Sequence, residues 1–317
     1  MVGLLFPGQG SQFVGMGREL AAAFPVARTT FEEADDALGS ALSRLCWEGP
    51  EAELTATVNA QPAILVHSLA VHRVVAEQLG TVALAAGHSL GEFSAYVAAG
   101  AIGFADGVRT VRRRGELMYR SGQERPGTMA ALLGLDDEAA ERVCAEASRA
   151  GGECVPANYN SPGQIVISGD VPAVERAMAL AREAGAKRAV RLNVSGAFHS
   201  PLMQVAEAGL EAQLAAVSLT EPRFPVVSNV TAEPVQDVVS ARRLLIRQLT
   251  APVRWSAGVQ AMVTAGVARF VELGPGNVLT GLLRRIDRSA AGIAIGAPGD
   301  IDVLVAGAPM SARGSEA

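Results

Sequence analysis

The chain is poor in the residues that staple a fold, span a bilayer or grip a polyanion. Only Cys46, Cys144 and Cys154 are present, an odd number with no Cys-x-x-Cys spacing. That pattern argues against a disulfide framework and against a zinc site. No apolar stretch approaches the roughly 20 residues of a membrane span. Met1-Val2-Gly3-Leu4-Leu5-Phe6-Pro7 lacks the positive n-region and long apolar core of a secretory signal. A reducing cytoplasm without membrane attachment is therefore the expected setting. Basic charge is also in deficit, with 27 Lys and Arg against 32 Asp and Glu, a net charge of -5. Apart from Arg112-Arg113-Arg114 the basic residues are scattered, so no nucleic acid is an expected partner. No internal repeat, low-complexity tract or exposed apolar stripe is visible, and a monomer is expected. What remains, 49% hydrophobic and 19% charged residues, describes a globular chain with an ample core. Its length allows one large domain or a large domain carrying a smaller one.

Against that background one pentapeptide stands out, Gly87-His88-Ser89-Leu90-Gly91. It follows the apolar run Thr81–Ala86 and opens onto Glu92–Ala99, which reads as a helix. Strand, Gly-x-Ser-x-Gly, helix is the context of a nucleophile elbow, with the serine oxygen held at the positive end of the helix. The glycines are expected to permit the sharp turn and to keep side chains clear of the serine. Outside that context the pattern also fits a glycine-rich turn with a capping serine.

Around the elbow, Gly3–Phe6 reads as a buried strand and Val26–Leu38 as a helix. A further helix is expected over Ala63–Leu79, started by Pro62, and another over Ala105–Tyr119. Polar Gly122–Gly127 then marks a boundary. Beyond it come strand Met129–Leu135, helix Asp136–Ala150, strand Val155–Asn160, strand Gln164–Ser168, helix Val171–Gly185 and strand Lys187–Val194. The order βαββαβ is that of a ferredoxin-like unit. The chain resumes with strand Pro225–Val230, helices Ala241–Gln248 and Trp255–Ala265, strand Ala268–Leu273, helix Val278–Arg285 and a strand at Gly292–Ile295. This alternation predicts an α/β core with a mostly parallel sheet, built from residues 1–125 and 195–300. Residues 126–194 form the inserted subdomain, and a disordered tail is expected over 301–317.

A serine hydroxyl needs a base, and four histidines are available. His67 and His72 sit in the Ala63–Leu79 helix and read as core or surface residues. His88 adjoins the serine, but side chains diverge at a tight turn; it either orders the loop or touches substrate. His199, in Gly196-Ala197-Phe198-His199-Ser200, lies in a loop at the seam of core and insert. No acidic residue stands out as a third triad member, which leaves a backbone carbonyl as the alternative orienting group. The N–H of Leu90 is one natural oxyanion donor, and the loop Pro7-Gly8-Gln9-Gly10-Ser11-Gln12 could supply another. That loop is no phosphate-binding Gly-x-x-x-x-Gly-Lys, because no lysine follows.

In combination these segments resemble the malonyl-CoA:acyl carrier protein transacylases and the closely similar acyltransferases of polyketide synthases. The resemblance spans about residues 3 to 290. It includes Phe6–Gln12, Gln61-Pro62-Ala63, Gly87–Glu92, Arg114–Met118, Asn158–Gln164, Ala197–Ser200 and Glu272–Gly276. It implies a hydrolase-like core with a ferredoxin-like subdomain. It implies transfer of malonyl from malonyl-CoA to the phosphopantetheine thiol of an acyl carrier protein, with no cofactor and no metal. Ser89 and His199 would be catalytic, and the main chain at Gln9 and Leu90 would form the oxyanion hole. Arg114 would pair with the malonyl carboxylate, while Gln61, His88 and Asn158 line the pocket. Gln248 matches the position whose carbonyl holds the histidine. Gly196-Ala197-Phe198 departs from the Pro-Ser pair common in the fatty-acid enzymes and is similar to malonyl-selective polyketide acyltransferases. Phe198 would crowd an α-methyl group. Two alternatives use the same fold, an acyl hydrolase that clears carrier proteins and a non-catalytic carrier-protein docking module.

Overall fold

A computed structural model describes residues 1–305. Its strands in chain order are β1 (Val2–Phe6), β2 (Val82–Gly87), β3 (Gly127–Leu133), β4 (Cys154–Ser161), β5 (Gln164–Asp170), β6 (Arg188–Arg191), β7 (Val226–Val227), β8 (Pro234–Val235), β9 (Arg269–Leu273) and β10 (Ala291–Ile295). Six of them form one sheet in the order β10-β9-β1-β2-β7-β8. Every pairing in it is parallel except β7 with β8. All five residues of β1 are buried, so the strand reads as an unbroken apolar run rather than an alternating one. Leu4 and Phe6 enter the larger core beneath helix Thr57–Val75. Leu5 enters a second core on the opposite face with Trp255 and Phe270. The loops after β1, β2 and β9 all open at the carboxyl edge of the sheet, where α/β proteins place their sites.

The remaining strands form a four-stranded antiparallel sheet in the order β4-β5-β3-β6. Helices Asp137–Arg149 and Val171–Glu183 share a separate core with it, completing a ferredoxin-like unit. The Asp136 side chain caps the first of these helices by accepting from the Ala139 N–H. A parallel bridge between Asn158 and Val253 ties β4 to the main body. Among the described residues no helix is long and apolar enough to cross a membrane.

Four expectations need correction. The helix expected from Pro62 begins at Thr57, with Pro62 inside it. Burial of most of that helix outweighs the one backbone bond that proline removes. Gly122 does not break a helix but lies within Phe104–Glu124. A Cβ there would sit 2.1 Å from the Ser195 carbonyl oxygen, so glycine is required by packing and not by a turn. The strand expected over Pro225–Val230 stops at Val227, because the chain turns back toward β8 through the Ser228 N–H and Glu233 carbonyl, and Asn229 reaches to the elbow. Pro298–Val305 is helical, contrary to the disorder expected from 301 onward; the rest of that tail lies outside the described residues. Helix Gln204–Ala215 was not anticipated.

Candidate active site

The elbow is built by close approach rather than by flexible glycines. A Cβ on Gly87 would lie 1.9 Å from the Gly91 carbonyl, and one on Gly91 would lie 2.0 Å from the Phe6 oxygen. The residue that takes the left-handed backbone is Ser89 itself, with φ at +50°, a conformation L-residues rarely adopt. Asn229 pins it there. Its Oδ1 accepts from the Ser89 N–H at 2.7 Å, and its Nδ2 donates to the Gly87 carbonyl at 2.7 Å.

Ser89 Oγ lies 2.8 Å from His199 Nε2, and His199 Nδ1 lies 2.8 Å from the main-chain oxygen of Gln248. A carbonyl only accepts, so Nδ1 carries the proton and Nε2 is left free to accept from the serine. The imidazole is 4% exposed. Burial, reinforced by the nearby Arg114 charge, pushes its pKa down to about 3. It is neutral at physiological pH, as a base must be.

Arg114, 1% exposed, reaches the same point from helix Phe104–Glu124. Its Nη2 donates to Ser89 Oγ at 3.1 Å and to Gln248 Oε1 at 2.8 Å, and its Nη1 donates to Gln61 Oε1 at 2.8 Å. The guanidinium Nε has no partner. Burial lowers its pKa to about 10, which leaves it charged. Gln61 also donates to Thr57 Oγ1, and the Thr57 hydroxyl in turn donates to the Gln9 side chain. Among the described residues no protein acceptor takes the backbone N–H of Gln9 or of Leu90. Both residues line one cavity of about 440 Å³ together with Ser89, His199, Arg114 and Asn158.

The other sequence candidates fall on the rim of this cavity. Phe198 is buried against it. His88 turns away from the serine; its Nε2 lies 2.8 Å from Asn160 Oδ1 in β4, and its ring packs on Trp255. Sequence reasoning missed Asn160, Asn229 and Glu92. Asn229 was hidden inside an expected strand. Glu92, which follows the elbow motif in the sequence, is fully buried and accepts from Gln248 Nε2 at 2.6 Å and from the Asn229 N–H at 3.1 Å. Among the described residues no group of three His, Cys, Asp or Glu side chains is placed to hold a metal ion.

Neutral burial of His199 has a measurable consequence. The unfolded chain takes up a proton near pH 6.5, while the folded histidine resists it down to about pH 3. Its stability contribution is therefore full above pH 6.5 and is lost as pH falls below that. At pH 5 the loss is roughly 2 kcal/mol. Glu92 and Glu272, both pushed up to about 7 by burial, work in the opposite sense and would mask it in the wild type alone. The stability difference between wild type and His199→Gln isolates it. Denaturant unfolding should show that difference shifting against the wild type by roughly 2 kcal/mol between pH 7.5 and pH 5. A gap independent of pH would mean that His199 is not held neutral.

An elbow serine beside a neutral histidine, at the carboxyl edge of a parallel sheet, has the geometry that acyl-transfer chemistry can use. The acyl transferase domain model matches residues 4–297. A malonyl CoA-acyl carrier protein transacylase of Bacillus subtilis (strain 168) is 46% identical over 304 residues, covering 96% of each chain. An acyl carrier protein S-malonyltransferase of Vibrio cholerae superposes with a TM-score of 0.92 at 44% identity, over 96% of this chain and 99% of that one. A malonyl-transacylase in complex with its type II PKS acyl-carrier protein gives a TM-score of 0.93 at 43% identity, over 96% and 99%. The chain belongs to the malonyl CoA-acyl carrier protein transacylase family of acyl transferases.

Proposed function

We propose that this chain transfers malonyl from malonyl-CoA to the phosphopantetheine thiol of an acyl carrier protein, for fatty-acid or polyketide synthesis, through a malonyl ester on Ser89. The observation that carries the reading is a buried, charged guanidinium 3.1 Å from the serine oxygen. A site for simple acyl groups has no use for it, whereas a dicarboxylic acyl group brings the matching carboxylate.

In the first half-reaction Ser89 Oγ attacks the thioester carbonyl while His199 Nε2 takes its proton. The oxyanion is met by the main-chain N–H groups of Gln9 and Leu90. The imidazolium, steadied by the Gln248 carbonyl, returns its proton to the departing thiolate, so that coenzyme A leaves as the thiol. The second half-reaction runs the same steps in reverse with the carrier-protein thiol as nucleophile. Substrate assists the base: a carboxylate on Arg114 offsets one of the charges that depresses His199. Phe198 would resist an α-methyl group, a contact worth about 1–3 kcal/mol. Acyl exchange between oxygen and sulfur changes no oxidation state, so the reading calls for no metal or redox cofactor. A cytoplasmic monomer remains the expected form.

The test is a transfer assay with malonyl-, methylmalonyl- and acetyl-CoA, with and without holo-acyl carrier protein. Malonyl-carrier product should dominate. Rapid release of free malonate with no malonyl-carrier product would identify a hydrolase instead.

A further inference from the structure

We infer that Glu92, a buried carboxylate with no place in the acyl-transfer steps, is a positioning residue that sets how Arg114 and His199 meet the substrate. The inference rests on the malonyl-transfer reading above. The Gln248 side chain is the hub. Its Nε2 donates to Glu92 Oε2 at 2.6 Å and to the Ser89 carbonyl at 3.0 Å, and its Oε1 accepts from Arg114 Nη2 at 2.8 Å. Its own main-chain carbonyl holds His199. An amide can flip, exchanging donor and acceptor ends. Glu92 Oε2 and the Ser89 carbonyl are acceptors, and Arg114 is a donor, so one orientation satisfies all three. Without the carboxylate oxygen Nε2 loses its shortest acceptor and keeps only the Ser89 carbonyl at 3.0 Å and a long contact to Asn229 Oδ1 at 3.4 Å. The amide is then free to leave the orientation that holds the guanidinium.

Glu92 Oε2 also accepts from the Asn229 N–H, and Asn229 in turn holds the Ser89 N–H. One carboxylate oxygen thus joins the residues that fix the serine, the histidine and the arginine. It does so from the first turn of the helix that follows the elbow, Leu90–Ala98. Its other oxygen, Oε1, has no partner, so the Gln248 amide and the Asn229 N–H are the hydrogen bonds that hold a carboxylate at this depth. The arrangement supplies indirectly the acidic member that the serine–histidine pair lacks, at the distance of one glutamine.

Glu92→Met, Glu92→Gln and Gln248→Met are to be assayed beside wild type with malonyl-CoA and acetyl-CoA, alongside thermal unfolding. Displacing groups that touch the substrate by even an ångström costs on the order of 10²-fold. Glu92→Met should therefore lower malonyl transfer about 100-fold, and the malonyl-to-acetyl ratio of kcat/KM about tenfold. Glu92→Gln keeps one acceptor oxygen in place and should recover most of both. Gln248→Met retains the carbonyl that holds His199 while removing the amide, and should lower the ratio as Glu92→Met does. An unchanged ratio in folded Glu92→Met overturns the inference; if that variant does not fold, an unchanged ratio in Gln248→Met overturns it equally. Wild type that transfers no malonyl would instead overturn the reading of the site on which it rests.

Discussion

Replacing Ser89 with alanine is expected to abolish acyl transfer, lowering kcat by a factor on the order of 10⁴–10⁶. The substitution removes one oxygen and little else. His199 keeps its carbonyl partner, Arg114 keeps Gln61 and Gln248, and the cavity walls are unchanged. Binding of malonyl-CoA should therefore survive while turnover does not. Steady-state rates beside equilibrium binding of malonyl-CoA separate the two. A variant that transfers malonyl within tenfold of wild type would mean that another group carries the acyl chain.

The second large effect is expected at Arg114. Removing one partner of a desolvated, hydrogen-bonded charge pair costs about 2–5 kcal/mol, so Arg114→Ala should lower kcat/KM for malonyl-CoA by about 10²–10³-fold. Acetyl-CoA has no carboxylate to lose, and its transfer should fall far less. The ratio of the two substrates is the readout, because the truncation also leaves Gln61 and Gln248 short of a donor and destabilises the fold. Equal losses for both substrates would show that Arg114 supports the site without reading the acyl group.

The sequence was most legible where structure is local. Ser89 could be found because strand, turn and helix adjoin within a few residues, and β1 because a parallel strand buried on both faces is apolar throughout. His199 was reachable by elimination among four histidines. Its carbonyl partner lies 49 residues away in sequence, and Gln248 came only from the resemblance to known transacylases. Arg114 also came only from that resemblance, since its partner Gln61 lies 53 residues away and is met where helix Phe104–Glu124 turns the side chain inward. Gly122 did not end the helix because it is there for the Ser195 backbone that crosses it, which no local pattern encodes. Asn229 and Glu92 were the least legible. Each acts through hydrogen bonds between segments more than a hundred residues apart, beyond the reach of any local pattern.

In the proposed mechanism Ser89 holds malonyl between two half-reactions. Intact-mass spectrometry after mixing the chain with malonyl-CoA alone tests it directly, followed by peptide mapping and a chase with holo-acyl carrier protein. One malonyl adduct per chain is expected, located on the peptide bearing Ser89, which disappears as malonyl-carrier protein forms in equal amount. A chain that never carries the adduct while still producing malonyl-carrier protein would contradict that mechanism.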